Sequence, residues 1–169
     1  MDLVVRAARE TELDQIGALT AEVYDGDGLS GPEYLEVLRD ARTRWESPAT
    51  TLLVAFDDGA EEDTDLLGTV VYAAPGSPWQ DLAQADEAEF RMLATAAPAR
   101  GRGVGESLVR ACIALAKQAE APRLVLSTAP DMLPAHRLYE RLGFTRVPDR
   151  DWSPRPNTDF QLRAYILDL

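Results

Sequence analysis

A chain of 169 residues is long enough for one domain that buries roughly two-thirds of its unfolded surface, and 46% hydrophobic with 27% charged residues is ordinary for a soluble globular protein. A formal net charge of −12 opposes a polyphosphate partner, so no nucleic acid is expected. One cysteine excludes an internal disulfide framework, no apolar run approaches the roughly 20 residues of a membrane helix, and the start Met1-Asp2-Leu3-Val4-Val5-Arg6 lacks a basic leader; a cytoplasmic protein with no membrane partner is the expectation.

Residues 3–7 read as a first strand. Thr11-Glu12-Leu13-Asp14 reads as a helix start with Thr11 as N-cap, and Leu13, Ile16, Leu19 and Val23 carry helical spacing to about Tyr24. Asp25-Gly26-Asp27-Gly28 breaks that helix. Pro32 suits the first turn of a second, whose Tyr34, Leu35, Leu38 and Trp45 can face a core. Residues 51–56 and 66–72 are β-rich and joined by the acidic stretch 57–65, which predicts a hairpin with a solvated loop. Pro75-Gly76-Ser77-Pro78 marks a turn, and residues 81–89 add a second acidic patch.

A strand over 87–95 precedes Arg100-Gly101-Arg102-Gly103-Val104-Gly105, and a helix over 104–118 follows it. Val104, Leu108, Cys112, Leu115 and Ala119 give that helix an apolar stripe. A helix start presents unsatisfied N–H groups and partial positive charge, which favour an anion. Glycines allow unusual φ and close approach of a bulky polyanion, while Arg100 and Arg102 can add charge-assisted hydrogen bonds. The stretch reads as a diphosphate cradle. It is neither a P-loop, which needs Gly-Lys-Ser/Thr, nor a dinucleotide turn, since Glu106 or Leu108 stands where the third glycine belongs. A short strand over 123–126, a helix from about Pro134 to Gly143, strands from Phe144 and over 160–167, and a proline-rich loop over 147–156 complete the chain.

Arg100-x-x-Gly103-x-Gly105 after a strand resembles the coenzyme A loop of the GNAT family of N-acetyltransferases. About thirty residues on, Ala135-His136-Arg137-Leu138-Tyr139-Glu140-Arg141-Leu142-Gly143-Phe144 is similar to the family's A-x-x-L-Y-x-x-L-G-F segment. Propensity alone supports mixed α and β. The resemblance implies more: an α/β, single-domain fold over residues 1–169, with a mostly antiparallel twisted sheet of about seven strands flanked by about four helices and splayed between strands four and five. It is densest over residues 87–144.

It also implies the chemistry. Acetyl-CoA is the co-substrate, with no metal, and an acetyl group passes by direct attack to a primary amine of a small molecule or protein. Gly101, Arg102, Gly103, Val104 and Gly105, with Arg100, hold the pyrophosphate. The backbone of Leu93, Ala94 and Thr95 pairs with the pantetheine arm, and an N–H near Leu93 can polarise the thioester carbonyl. Tyr139 matches the family's proton donor to the departing thiolate. Glu89 occupies a position where some members place a base. It lies six residues before Thr95, so period-two alternation puts both on one face with Arg91 and Leu93. Burial would raise its pKa; the alternatives are a solvent-facing or Arg91-paired carboxylate, Glu87 as the base, or water. Met132 departs from the family, standing where an asparagine often touches the cofactor.

His136 is the only histidine, so no Ser-His-Asp or His-metal constellation can be assembled; it reads as structural, and Cys112 as core. Residues 24–28 and the loop carrying Trp152 are the expected acceptor segments, with Tyr24, Trp79 and Trp152 as candidate walls. Two other functions stay in play: a non-catalytic acyl-CoA-binding or sensing module, and an interaction domain. The acceptor and the oligomeric state, a homodimer among the options, are left open.

Overall fold

The computed structural model describes residues 2–26, 31–61, 64–155 and 158–169, so Asp27, Gly28, Glu62, Asp63 and Pro156 of the segments above lie outside the described residues. Strand β1 (Leu3–Ala7) leads through a single 3-10 turn into helix α1 (Leu13–Gly26). The Arg6 guanidinium donates to both oxygens of Glu12 at 2.8 and 2.6 Å, and Glu12 Oε1 accepts from the Arg9 N–H at 2.7 Å. That carboxylate closes the turn two residues before the expected cap, which leaves Thr11 inside the turn. The helix runs on to Gly26 because Asp25 and Gly26 still complete its last turn.

The second predicted helix is two: α2 (Pro32–Arg39) and α3 (Ala41–Trp45). Asp40 separates them, its Oδ1 accepting from the Thr43 N–H at 3.1 Å, a local cap that restarts the helix. Arg44 folds back wholly buried and donates to the carbonyls of Val37, Leu38 and Asp40 at 2.8, 3.0 and 3.3 Å, satisfying the end of α2. Burial lowers its pKa to about 10, still well above neutrality. A Cβ on Gly17 would lie 2.1 Å from the Arg39 carbonyl oxygen, so glycine there lets α1 and α2 touch.

Next come β2 (Thr50–Asp57), β3 (Gly68–Ala73), β4 (Ala88–Thr95), α4 (Val104–Gln118), β5 (Arg123–Thr128), α5 (Leu133–Arg141), β6 (Thr145–Arg146) and β7 (Arg163–Asp168). The described part of the acidic loop between β2 and β3 is exposed up to Asp65, as expected. Gly143 takes φ +98° just past α5 and ends it. The strands form one seven-stranded sheet in the order β1-β2-β3-β4-β5-β7-β6. Every neighbouring pair is antiparallel except β4 and β5, which are parallel and share only Ala88–Leu124 and Glu89–Val125. Beyond Glu89 the two strands separate, the splay the sequence implied.

Two apolar cores sandwich the sheet. Leu53, Val70, Tyr72, Phe90, Leu124 and Leu126 face Val104, Leu108 and Cys112 of α4 and Tyr139 of α5. Leu52, Val54, Val71 and Met92 face Leu13 and Ile16 of α1, Leu38 of α2 and Ala41 of α3. One register slip between these layers matters for the site. Thr69 pairs with Ala94 but Val71 pairs with Arg91, so β4 carries an extra residue, and Met92 there takes φ +56°. Glu89 and Arg91 therefore lie on the α1–α3 face with Ala73 and Val71, whereas Leu93 packs into the α4 core and Thr95 lies beside α4. The alternation that would put all four on one face is broken by this bulge.

Candidate active site

On the α4 side the loop between β4 and α4 descends through a 3-10 turn (Ala97–Ala99) and reverses at Gly101 (φ +80°) and Gly103 (φ +82°). These left-handed residues have no heavy atom within 4 Å of where a Cβ would sit, so glycine answers to the backbone there and the space outside is open. Gly105 differs: it is an ordinary helical residue, with Leu138 Cδ2 3.4 Å and Thr95 Oγ1 3.9 Å from its Cβ position. No side chain caps α4, whose first helical bond runs from the Ser107 N–H to the Gly103 carbonyl at 3.0 Å. The N–H groups of Val104, Gly105 and Glu106 are left for an external acceptor. Glu106 would repel an anion, but Arg141 of α5, to which the sequence assigned no role, sits 3.2 Å away and offsets it.

Arg100 is exposed, in keeping with an anion-binding role. Arg102 is otherwise occupied. Its guanidinium pairs with Asp57 at the end of β2, and its N–H donates to the Ala99 carbonyl at 3.3 Å. Its expected phosphate contact would have to displace Asp57. Leu93, Ala94 and Thr95 stand where β4 has left β5, so the edge turned toward β5 has no strand beside it.

Tyr139 projects from α5 into an aromatic cluster, its ring centroid 5.8 Å from Phe90, 6.0 Å from Phe144 and 6.0 Å from Tyr165. Burial pushes its phenol above the usual tyrosine range, so the hydroxyl holds its proton throughout neutral pH. Leu93 packs into that same core, which sets Tyr139 on the α4 side of the gap.

Glu89 lies across the sheet from it and is neither solvent-facing nor paired with Arg91. It is 0% exposed, and its Oε1 accepts the N–H groups of Asp81, Leu82 and Ala83 at 3.1, 2.9 and 2.8 Å. Oε2 is buried without a partner. Burial raises its pKa and outweighs the opposing N–H groups, which makes it a stronger base than an ordinary carboxylate. Arg91 instead pairs with Asp81 at 2.9 Å and donates to the Trp79 carbonyl at 3.0 Å.

Glu87 is also 0% exposed but chemically opposite. Burial would raise its pKa, yet hydrogen bonds from Arg150 (2.8 and 3.1 Å) and Arg123 (2.6 Å) and from the Gln84 N–H overcome it and bring the value down to about 2. So weak a base is no substitute for Glu89. The acidic patch expected over 81–89 thus has two of its carboxylates inside the protein, held there by arginines and amides.

The acceptor candidates lie on the Glu89 face. Tyr24 and Trp79 pack against the α1–α3 core, and the Trp79 indole donates to Ser47 at 2.9 Å. Trp152, in the loop before β7, donates from its indole to Ser127 Oγ at 2.8 Å; Ser127 follows Val125 on the same face of β5, beside the gap. Met132 is the N-cap of α5 without a side-chain cap bond, so the turn where the family often has asparagine offers no polar side chain at that position. His136 is buried, its Nε2 2.9 Å from the Ala129 carbonyl oxygen, and Cys112 is buried with a raised pKa; both are structural. Among the described residues no group of three or more His, Cys, Asp or Glu could hold a metal ion. A separate cleft of about 610 Å³ by β1 and the β2–β3 loop holds none of the candidate catalytic residues, and its Arg6 and Glu12 satisfy each other.

Known proteins share this fold. Three solved structures share the fold over nearly their whole length. An acetyltransferase of the GNAT family from Staphylococcus aureus matches with a TM-score of 0.75 at 12% identity over 99% of each chain. An N-acetyltransferase from Thermoplasma acidophilum in complex with coenzyme A gives 0.70 at 15% over 100% of each. A protein from Salmonella typhimurium with its cofactor acetyl-CoA gives 0.67 at 16%, over 99% of this chain and 94% of the other. No curated protein matches the chain in sequence. The model of the acetyltransferase (GNAT) family matches residues 14–144, the span from α1 to the end of the Tyr139 segment. The chain belongs to the GNAT acetyltransferase family.

Proposed function

We propose that this protein transfers the acetyl group of acetyl-CoA to a primary amine, of a small molecule or a protein, by direct attack. The observation that carries this is a single arrangement: an uncapped helix start beside a strand that has lost its neighbour, with a protonated phenol on one side of the gap and a basic carboxylate on the other. The free N–H groups of Val104 and Gly105, with Gly101, Gly103 and Arg100, suit the paired phosphates. The open backbone of Leu93, Ala94 and Thr95 suits an amide-bearing arm.

The amine nitrogen bonds to the thioester carbonyl carbon and the carbon–sulfur bond breaks. The proton leaving nitrogen goes to Glu89 Oε2, directly or through a water, and the Tyr139 hydroxyl protonates the departing thiolate. Holding both reactants in the gap supplies the larger share of the rate. We read residues 1–169 as one cytoplasmic domain, with the acceptor entering on the face of Glu89 and Trp152.

The sealing of Glu89 favours one rival, a module that binds acyl-CoA without turning it over. A screen of amines by release of free thiol from acetyl-CoA decides between them. We expect release that depends on a particular amine; binding with no release from any amine would favour the rival.

A further inference from the structure

Arg91 on its own strand and Asp81 in the segment 79–87 act on Glu89 directly; around them stand Glu87 at the end of that segment, Arg123 on β5 and Arg150 in the 3-10 turn (Pro148–Arg150) after β6, both bound to Glu87, and Tyr34 of α2, 3.5 Å from Arg91. Arg91 is absorbed by Asp81, and Arg123 by Glu87. Arg91 also donates to the Trp79 carbonyl at the start of that segment, whereas Arg150 reaches its centre. Only 15% exposed, its side chain donates to Glu87 at 2.8 Å and to the Leu82 carbonyl at 2.9 Å. Leu82 is the middle of the three residues whose N–H groups converge on Glu89 Oε1. One peptide run is thus gripped from both sides, by Arg150 through its carbonyl and by Glu89 through its amides. Glu87 ties the same run again by accepting from the Gln84 N–H at 2.8 Å.

We propose that Arg150 is a positioning residue for Glu89: by holding the Leu82 carbonyl and Glu87, it fixes the three amides that face the Glu89 carboxyl. Arg150 stands two residues before Trp152, whose indole is pinned to β5. The loop that would meet the acceptor therefore also sets the environment of the base. The positioning itself is a property of the folded chain; its meaning for catalysis rests on Glu89 being the base.

The test is a carboxyl-carbon NMR titration of the full chain, with Glu89→Gln to assign the Glu89 signal, and with Arg150→Met and Arg150→Lys. Amide hydrogen bonds favour the ionised carboxylate, so loosening them raises the midpoint. We expect Arg150→Met to move the Glu89 midpoint up by about one pH unit, the size of one lost hydrogen bond to a charged group, and to speed exchange of the Leu82 and Ala83 amides. Arg150→Lys, which keeps a cation beside Glu87 but cannot fork to Leu82, should move it about half as far. An unmoved midpoint with unchanged amide exchange, beside a lower melting temperature, would make Arg150 purely structural and overturn the proposal. If Arg150→Met does not fold, the midpoint and amide exchange of Arg150→Lys decide the question alone. Thiol release by Glu89→Gln separates the two ideas. Parental turnover would remove the base while the midpoint shift stands; a slowed Glu89→Gln with no shift from Arg150 would remove only the positioning.

Discussion

The two faces of the sheet at the β4–β5 gap are built from different materials. On the α4 face the features of the proposed site are mostly backbone (left-handed glycines, uncapped amides, an unpaired strand edge), with one phenol set in aromatic packing. On the α1–α3 face they are charged side chains withdrawn from water: Glu87 between two arginines, Glu89 under three amides, Arg91 on Asp81, and Arg44 capping a helix. A backbone site can receive a ligand common to a whole family, because it depends little on side-chain identity. A face made of paired side chains changes with each substitution, and is where acceptor choice belongs.

The sharpest way to break this comparison is to fill the backbone side. Gly103→Trp should abolish acetyl-CoA binding by calorimetry, whereas Gly76→Trp, equally open and at φ +91°, imposes similar backbone strain elsewhere and should bind like the parent. Equal binding by both would disconnect the glycine loop from the cofactor.

On the charged side, Glu87→Gln should cost about 3 kcal/mol of stability at pH 7, since its folded pKa lies far below its unfolded value. A depressed carboxylate stabilises the fold above its unfolded pKa and loses that contribution as pH falls toward the folded one. The gap between variant and parent in urea melts should therefore narrow below about pH 5; a gap independent of pH would contradict the pairing.

Tyr139→Phe should lower kcat about 100-fold with acetyl-CoA affinity unchanged. Because burial raises the phenol's pKa, the parent should show no alkaline fall in kcat from this residue below about pH 10. Parental turnover by the variant would remove the proposed acid. Glu89→Gln should have the smallest effect, about tenfold on kcat, because water can also take the proton. The parent should lose activity as pH drops through the raised Glu89 pKa, and the variant should lack that limb; an identical limb in both would assign it elsewhere.

What the sequence disclosed follows the same division. The strands, the hairpin, α4 and α5 were legible because periodicity and punctuating glycines act locally, and the turn before α4 because Gly101 and Gly103 take left-handed φ. The split at Asp40 was written in Asp40-x-x-Thr43, but hidden inside a continuous helical pattern. The bulge at Met92 left no trace: an extra residue in one strand is a property of the pairing, so Glu89 and Thr95 were put on one face and fold onto two. The burial of Glu87, and the reach of Arg150 from a proline-rich loop 63 residues away, depend on tertiary contacts that no local spacing encodes.

The central claim, that open amides at the start of α4 grip the paired phosphates of the cofactor, is met most directly by a proton–nitrogen NMR titration of the labelled protein with coenzyme A. The Val104, Gly105 and Glu106 amides should move downfield together and saturate with the calorimetric affinity, while the Arg9 amide, already closed by Glu12, stays in place. Saturable binding that leaves those three amides unmoved would contradict it.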